Sequence, residues 1–158
     1  MQPQIRPATP DDMEAIRHIV TRIWQIGSDW VLEEKYGAVG DEAWDRWLVP
    51  KVMARLWEEI DHLLVSEDGG AIAGFIAYTM SARRRVGTIH YNGVDLPHRG
   101  QGLGTRQVEY VLRIFRQAGM EYACVGTSLN EGHAAARRVY EKAGFERLID
   151  YTMYAQKL

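Results

Sequence analysis

Three alternating glycines form a loop whose spacing suits phosphate binding. Gly100, Gly102 and Gly104 occur in the run RGQGLGT, which covers residues 99–105. A strand-like run ends at Val94 before this loop, and an amphipathic helix follows it. Glycine lacks a Cβ, so the backbone N–H groups of the loop can come close to an anion. The amino end of the helix adds a partial positive charge, and together these features predict a pyrophosphate site.

Other glycine-rich loops have different spacings or different neighbours. A P-loop requires Gly-Lys followed by Ser or Thr, and this sequence has none after the loop. The third glycine is wrongly spaced for a Rossmann loop, and the unit does not open the chain. On the loop alone, a simple tight turn stays open as an alternative.

Length and composition indicate one ordinary globular domain spanning residues 1–158. The net charge of −2 argues against general nucleic-acid binding. The longest apolar stretch, residues 71–80, is too short to cross a membrane, and no apolar signal segment opens the sequence. The single cysteine, Cys124, excludes an internal disulfide, and we interpret it as a small buried apolar residue. We therefore expect a cytoplasmic protein without a membrane partner.

The hydrophobic pattern predicts a mixed α/β sheet with helices on both faces. Thr9 is expected to cap the first helix, Pro50 to kink or interrupt the second, and Gly119 to end the helix after the glycine loop. The predicted strands cover about 4–8, 62–66, 72–78, 86–94 and 122–127, with one or two more over 145–154; the predicted helices cover about 9–23, 42–60, 103–118 and 132–143. A helical crossover joins strand 86–94 to strand 122–127, so these two strands should be parallel.

A second motif strengthens the interpretation of the loop. Residues 136–145 follow the pattern Ala-x-x-x-Tyr-Glu-Lys-x-Gly-Phe, which resembles the C-terminal motif of the GNAT superfamily of acetyl-CoA-dependent N-acetyltransferases. The loop Arg99-x-x-Gly102-x-Gly104 is similar to the pyrophosphate loop of that superfamily, and a hydrophobic Val94 precedes it. The resemblance extends from near residue 4 to near residue 154. It implies the GNAT fold: a mixed, mostly antiparallel sheet with a splayed parallel strand pair and helices on both faces. It also implies acetyl-CoA as cosubstrate, without a metal.

The resemblance implies that Tyr140 lies beside the CoA sulfur and protonates the leaving thiolate. Helical spacing independently places Tyr140 on one face with Ala136, Val139 and Ala143. A free thiol has a pKa near 8.5 and tyrosine near 10, so full proton transfer is uphill by about 2 kcal/mol. Strong hydrogen-bond donation to the thiolate could be sufficient. A core tyrosine whose hydroxyl finds a partner is the alternative.

The predicted CoA-binding residues lie in the glycine loop, just before it, and before the Tyr140 helix. They are Val94, Leu96, Arg99, Gly100, Gln101, Gly102, Gly104, Thr105, Asn130 and His133. We expect a splay between strands 86–94 and 122–127, which would leave a backbone N–H near Val94 or Leu96 free to polarise the thioester carbonyl. His133 occupies the position, seven residues before the tyrosine, where many family members have Asn. Asn130 either approaches the cofactor or caps the helix.

His90 is the predicted general base. It lies on the strand before the glycine loop, and imidazole titrates near neutrality. Counting back from Arg99 places it where arylalkylamine-type members of the family carry a catalytic imidazole. A hydrogen-bonded strand histidine is the alternative, and Glu33 and Glu34 are rival bases.

The acceptor site is predicted in the region from Trp24 to Trp57, where all five tryptophans occur. The family places its acceptor-binding helices in this region. Trp24, Trp30 and Glu33 could form an aromatic and acidic wall for a cationic amine. Tryptophans that face the core are the alternative.

These inferences predict transfer of an acetyl group from acetyl-CoA to a primary amine by direct attack, with a small molecule as acceptor. A protein N-terminal or lysine acetyltransferase is one alternative, and a non-catalytic acyl-CoA-binding module is another. An acetyl-cysteine intermediate on Cys124 is disfavoured because no partner base is evident in the sequence. The oligomeric state stays open, with a homodimer as one alternative.

Overall fold

A five-stranded mixed sheet forms the centre of the fold. The computed structural model describes residues 2–24, 28–37, 39–41, 43–150 and 152–158. The strands lie in chain order: β1 (Gln4–Pro7), β2 (Leu63–Asp68), β3 (Ala71–Ser81), β4 (Val86–Val94) and β5 (Tyr122–Val125). The pairs β1–β2, β2–β3 and β3–β4 are antiparallel, whereas β4 and β5 are parallel. This arrangement confirms the predicted mixed sheet and its parallel pair.

Helices cover both faces of the sheet, as predicted. Within the described residues the α-helices are α1 (Met13–Ile23), α2 (Ser28–Tyr36), α3 (Trp44–Glu58), α4 (Leu103–Gln117) and α5 (Ala134–Lys142). Alternate residues of a strand point to opposite faces. Phe75 therefore packs with α1 and α3 in one core cluster, and Ile76 packs with α4 and α5 in the other. Short 3₁₀ turns precede α1 (Pro10–Asp12), β2 (Ile60–His62), the glycine loop (Leu96–His98) and α5 (Glu131–His133).

The structure corrects two predictions about secondary structure, the interruption of a helix at Pro50 and the strands of the tail. Pro50 lies inside α3 and does not interrupt it. It is exposed in the second turn, so only one backbone bond is lost, while buried Val49, Val52 and Leu56 hold the helix against the sheet.

The second error concerns the tail, where the described residues from 143 onward form no strand. Phe145 packs into the core beside α5, but Leu148 and Ile149 are almost fully exposed. A stable strand needs one buried face and a hydrogen-bonded edge. The exposed side chains show that the described tail has no buried face.

A buried amide ties α4 to the sheet. Gln107 is fully buried on the inward face of α4, and its Nε2 donates to Ser66 Oγ at 3.0 Å and to the Gly93 carbonyl at 3.4 Å. Gly74 gives this amide its space, because an added Cβ would lie 2.7 Å from Gln107 Nε2 and 2.5 Å from the Gly93 oxygen. These contacts connect α4 with β2 and with the last residues of β4.

The Gly74→Ala variant should be less stable than the wild type by roughly 1–3 kcal/mol, because its methyl group overpacks this contact. The free energy of unfolding can be measured by chemical denaturation. Gly126→Ala is the matched control, since an added Cβ there meets nothing within 4 Å. We expect its stability to stay within about 0.5 kcal/mol of the wild type. Equal stabilities for the two variants would contradict the close approach at Gly74.

Candidate active site

The parallel pairing covers only the first half of β4. Pairing joins residues Val86–Ile89 of β4 to Tyr122–Val125 of β5 and ends there. Beyond that pairing β4 continues to Val94, and residues 91–94 are still paired with β3. The pairing thus stops at the place where the splay was expected, and among the described residues no strand pairs with this edge of β4 beyond Ile89.

The backbone of Val94 faces the open edge. The Asp95 N–H donates to the Ala73 carbonyl of β3 at 2.9 Å. Successive residues of an antiparallel strand direct their backbone groups to opposite edges, so Val94 points away from β3. Its carbonyl accepts a hydrogen bond from Arg99 Nε at 3.0 Å. The Leu96 N–H instead donates to Asp95 Oδ1 at 2.8 Å. Of the two expected N–H donors, Val94 has the geometry to meet a ligand in the splay.

The glycine loop leads directly into α4. Gly100 and Gly102 have φ values of +77° and +78°, a left-handed conformation that favours glycine. The helix begins after Gly102, whose carbonyl accepts the Arg106 N–H at 3.1 Å. The N–H groups of residues 103–105 therefore have no partner within the helix and lie at its positive end. Thr105 lies within this predicted anion site.

Other loop residues support its shape. Gly104 lies beside β4 and α5, where an added Cβ would make ordinary contacts with Val139 at 3.6 Å and Val94 at 3.8 Å, so packing alone does not require glycine here. The Arg99 bond to Val94 described above folds that side chain back onto β4. Gln101 donates its side-chain amide to a carbonyl of the turn before the loop at 3.3 Å. In this structure, Arg99 and Gln101 thus brace the loop.

Tyr140 reaches the open part of β4. Its ring is 7% exposed and packs edge-on against Phe145, with ring centroids 6.0 Å apart. Its hydroxyl donates to Asn92 Oδ1 at 2.7 Å. Burial raises the pKa of the Tyr140 phenol to about 12. Complete proton transfer to an ordinary thiolate would therefore cost about 5 kcal/mol, which favours hydrogen-bond donation over proton transfer.

Polar contacts organise the turn before α5. Arg137 donates to the carbonyls of Ser128 and Asn130 at 2.7 and 2.8 Å. The Asn130 Oδ1 is hydrogen-bonded to His133 Nδ1, so these two predicted CoA-binding residues contact each other. Burial, and then the nearby Arg137 charge, lower the pKa of His133. A neutral His133 is therefore favoured at neutral pH.

A β-bulge displaces His90 from the strand pairing. The register between β3 and β4 shifts by one residue between Ala77 and Tyr78, and this leaves His90 unpaired on β4. The exposed imidazole lies with Nε2 2.7 Å from Thr79 Oγ1. Because of the extra residue, Asn92 faces α5 beyond the bulge, where it meets Tyr140.

The two predicted catalytic side chains lie on opposite faces of the sheet. Ala77 and Tyr78 pack into the α1/α3 cluster and the α4/α5 cluster respectively, so the next residue, Thr79, points to the α1/α3 face. His90 is hydrogen-bonded to Thr79 on that face, whereas Tyr140 belongs to the α4/α5 cluster. The splay lies between the two faces, so reactants that approach from each face can meet there.

The predicted acceptor residues are only partly brought together. Trp24 is half-buried and packs against Phe75 and Tyr91, with ring centroids 5.9 and 5.5 Å apart. Trp24 therefore faces the core, which was the alternative to a place in the wall of the acceptor site. Glu33 is half-buried in α2, and the Trp30 side chain lies outside the described residues.

The prediction that Cys124 is buried is wrong. Cys124 is exposed on β5, opposite Thr88 of β4. Its neighbours Ala123 and Val125 pack toward the α4/α5 cluster. The alternation of the strand therefore turns the Cys124 side chain toward the other face.

Sequence patterns alone did not indicate Asn92 or Gln107. A polar amide within a strand or on an apolar helix face is a weak signal of a buried partner, since Asn is uncommon in strands. The signal becomes specific only when the partner is known. Tyr140 is 48 residues from Asn92, and Ser66 is 41 residues from Gln107.

A family model described as the acetyltransferase (GNAT) family matches residues 15–145. The chain belongs to the GNAT acetyltransferase family. No curated protein matches the chain. Within the described residues, no helix has both the length and the apolar character to cross a membrane.

Solved structures share this fold at low sequence identity. One is a PaiA N-acetyltransferase from Thermoplasma acidophilum in complex with coenzyme A: TM-score 0.72, 15% identity, 92% of this chain and 91% of that chain. Another is the aminoglycoside N-acetyltransferase AAC(6')-Iy in complex with a bisubstrate analog, CoA-S-monomethyl-acetylneamine. Its TM-score is 0.66 and its sequence identity 16%, and the match covers 100% of both chains. A third is the aminoglycoside acetyltransferase meta-AAC0020, from an uncultured soil metagenomic sample, in complex with sisomicin. Its TM-score is 0.61 and its sequence identity 14%, and the match covers 98% of this chain and 97% of that chain.

The Gly102→Asp variant should lose the stabilisation that CoA gives to the wild type. A ligand that binds only the folded state raises its melting temperature. The new carboxylate would stand at the helix amino end, where it would repel phosphate. Thermal unfolding with and without CoA measures the effect.

Gly119→Asp is the matched control for this variant. Gly119 follows the other end of α4 and has a similar φ of +73°, so the substitution adds the same charge and a similar strain. We expect its CoA-induced shift to equal that of the wild type. If folded Gly102→Asp shows the same CoA-induced shift in melting temperature as the wild type, the glycine loop is not part of the CoA site.

Proposed function

We propose that this protein is an N-acetyltransferase that transfers the acetyl group of acetyl-CoA to a primary amine by direct attack. One observation carries the proposal: the open edge of β4 lies between the amino end of α4 and the Tyr140–Asn92 pair. Family membership and the CoA-containing relatives support the same class of reaction.

The chemistry of acetyl-CoA fits the groups along this edge. The N–H groups at the amino end of α4 suit its pyrophosphate. The edge of residues 90–94 that faces away from β3 suits the amides of the pantetheine arm, which would pair with it as an added strand does. The Val94 N–H, which points into the splay, suits the thioester carbonyl. Charge develops on that oxygen during attack, so a fixed donor there stabilises the transition state.

The transfer forms a C–N bond and breaks the C–S bond of the thioester. The neutral amine attacks the carbonyl carbon, and its proton passes to a base, directly or through water. His90 is the proposed base, because its exposed imidazole lies on the α1/α3 face beside the splay. The CoA thiolate leaves on the other face, where the Tyr140 hydroxyl can donate a hydrogen bond to it.

A small amine is the proposed acceptor. Two solved relatives are aminoglycoside acetyltransferases, one of them with a bisubstrate analog and the other with sisomicin. The release of free CoA from acetyl-CoA, measured with a panel of small amines and lysine or N-terminal peptides, tests the proposal and the acceptor class. A CoA-induced thermal shift without CoA release for any amine would contradict the enzyme and favour a binding module.

The Tyr140→Phe variant should lower kcat about a hundredfold, the lower end of general-acid contributions, because it removes only the hydroxyl. The CoA-induced thermal shift should persist, since the ring stays in place. The high pKa of Tyr140 keeps the phenol protonated, so wild-type kcat should show no falling limb up to about pH 10.

Tyr110→Phe is the control for this substitution. Tyr110 is half-buried on α4 beside Arg113, and the same hydroxyl deletion there should leave kcat unchanged. If Tyr140→Phe also turns over at the wild-type rate, the tyrosine serves packing alone.

The His90→Gln variant tests the base. A glutamine side chain cannot accept the proton of the amine, so kcat/KM should fall in the variant, and any pH limb that the base contributes should vanish. Two acceptors of different pKa separate the contributions. A limb that moves with the acceptor belongs to the amine, and a fixed limb that the variant loses belongs to His90. If the variant keeps both limb and rate, the base lies elsewhere, and Glu33 and Glu34 become the residues to test.

A further inference from the structure

Asn92 holds the one proton that the Tyr140 hydroxyl can donate. A phenol has one O–H donor, and here it is directed to Asn92 Oδ1 at 2.7 Å. The tyrosine cannot donate to Asn92 and to a leaving sulfur at the same time. The carbonyl of Asn92 therefore competes with the thiolate for the same hydrogen bond.

The position of Asn92 is set by the bulge and by the splay. It lies on β4 beyond the last residue that pairs with β5, and beyond the unpaired His90. It is half-buried, and its side chain meets α5 on the face opposite His90. The pair formed by Asn92 and Tyr140 thus lies on the α4/α5 side of the open edge.

We propose that Asn92 is a positioning residue for the transfer step: its carbonyl fixes the Tyr140 hydroxyl at the open edge of β4 and yields the proton as the sulfur becomes negative. This inference rests on the proposed function. No covalent bond of either side chain changes, because the O–H···O bond to Asn92 is exchanged for an O–H···S⁻ bond to the leaving thiolate.

A neutral amide is suited to this exchange. Hydrogen bonds to charged acceptors are about twice as strong as those to neutral ones, so the developing thiolate outcompetes the Asn92 carbonyl. Before the thioester breaks, its sulfur is a weak acceptor, and the hydroxyl stays with Asn92. A carboxylate at position 92 would compete far better, because it carries the same charge as the thiolate.

A double-mutant cycle in kcat measures the coupling of the two residues. Asn92→Leu keeps a similar volume and removes the carbonyl, so kcat should fall about tenfold, near the upper effect of one lost hydrogen bond. In the Tyr140→Phe background the same change should alter kcat less than twofold. Thr88→Val, on the same strand but facing the other side of the sheet, should leave kcat unchanged.

Asn92→Asp provides a second readout that a structural role would not move. The ratio of its kcat to the wild-type kcat should fall as pH rises through the ionisation of the new carboxyl group. Ionisation of the amine and of the base changes kcat with pH in both the wild type and the variant. These shared effects cancel when the ratio of the two kcat values is taken at each pH. The CoA-induced thermal shift of each variant shows that it is folded.

The outcomes separate the inference from the proposed function. Equal losses from Asn92→Leu in both backgrounds, or no loss in either, would overturn the role of Asn92 while leaving an active acetyltransferase. A pH-independent ratio for Asn92→Asp would overturn it as well. No CoA release by the wild type with any amine would overturn the proposed function and the inference with it.

Discussion

The early end of the pairing between β4 and β5 is the constraint on which the candidate site depends. Where the two strands pair, from Val86 to Ile89, their edges satisfy each other and offer nothing to a ligand. Beyond that point, residues 91–94 stay paired with β3 on one side, and no strand of the described chain pairs with them on the other. Buried backbone groups need partners, so an open edge within a fold is a place for a ligand that can supply them. The glycine loop, Tyr140 and Asn92 all gather around this edge.

Two local features make the divergent segment usable. The bulge at His90 reverses the facing of the residues after it, so Asn92 meets α5 while His90 stays on the opposite face. The buried amide of Gln107 ties the last residues of β4 to α4. The amino end of α4 and the open backbone of β4 are thereby held in a fixed relation, which catalysis by preorganised donors requires.

Burial decides which chemistry Tyr140 can perform. An exposed tyrosine would be a poor acid for a thiolate, and the buried one, with a pKa of about 12, is poorer still. The same burial strengthens any hydrogen bond that the hydroxyl makes, because water does not compete there. In the proposed transfer, this environment therefore favours hydrogen-bond donation to the leaving thiolate over loss of the phenol proton. Asn92 gives this donor a partner before the reaction.

Local sequence determined the parts of this protein that depend on near neighbours. The strand, glycine loop and helix from Val86 to Gln117, the parallel crossover and the inward face of α5 follow from spacing and glycine positions, and the structure confirms them. The bulge at His90, the Tyr140–Asn92 bond, the buried Gln107 and the exposure of Cys124 were decided only by tertiary structure. Each depends on which strand register and which distant partner satisfy buried polar groups, and no local pattern contains that information.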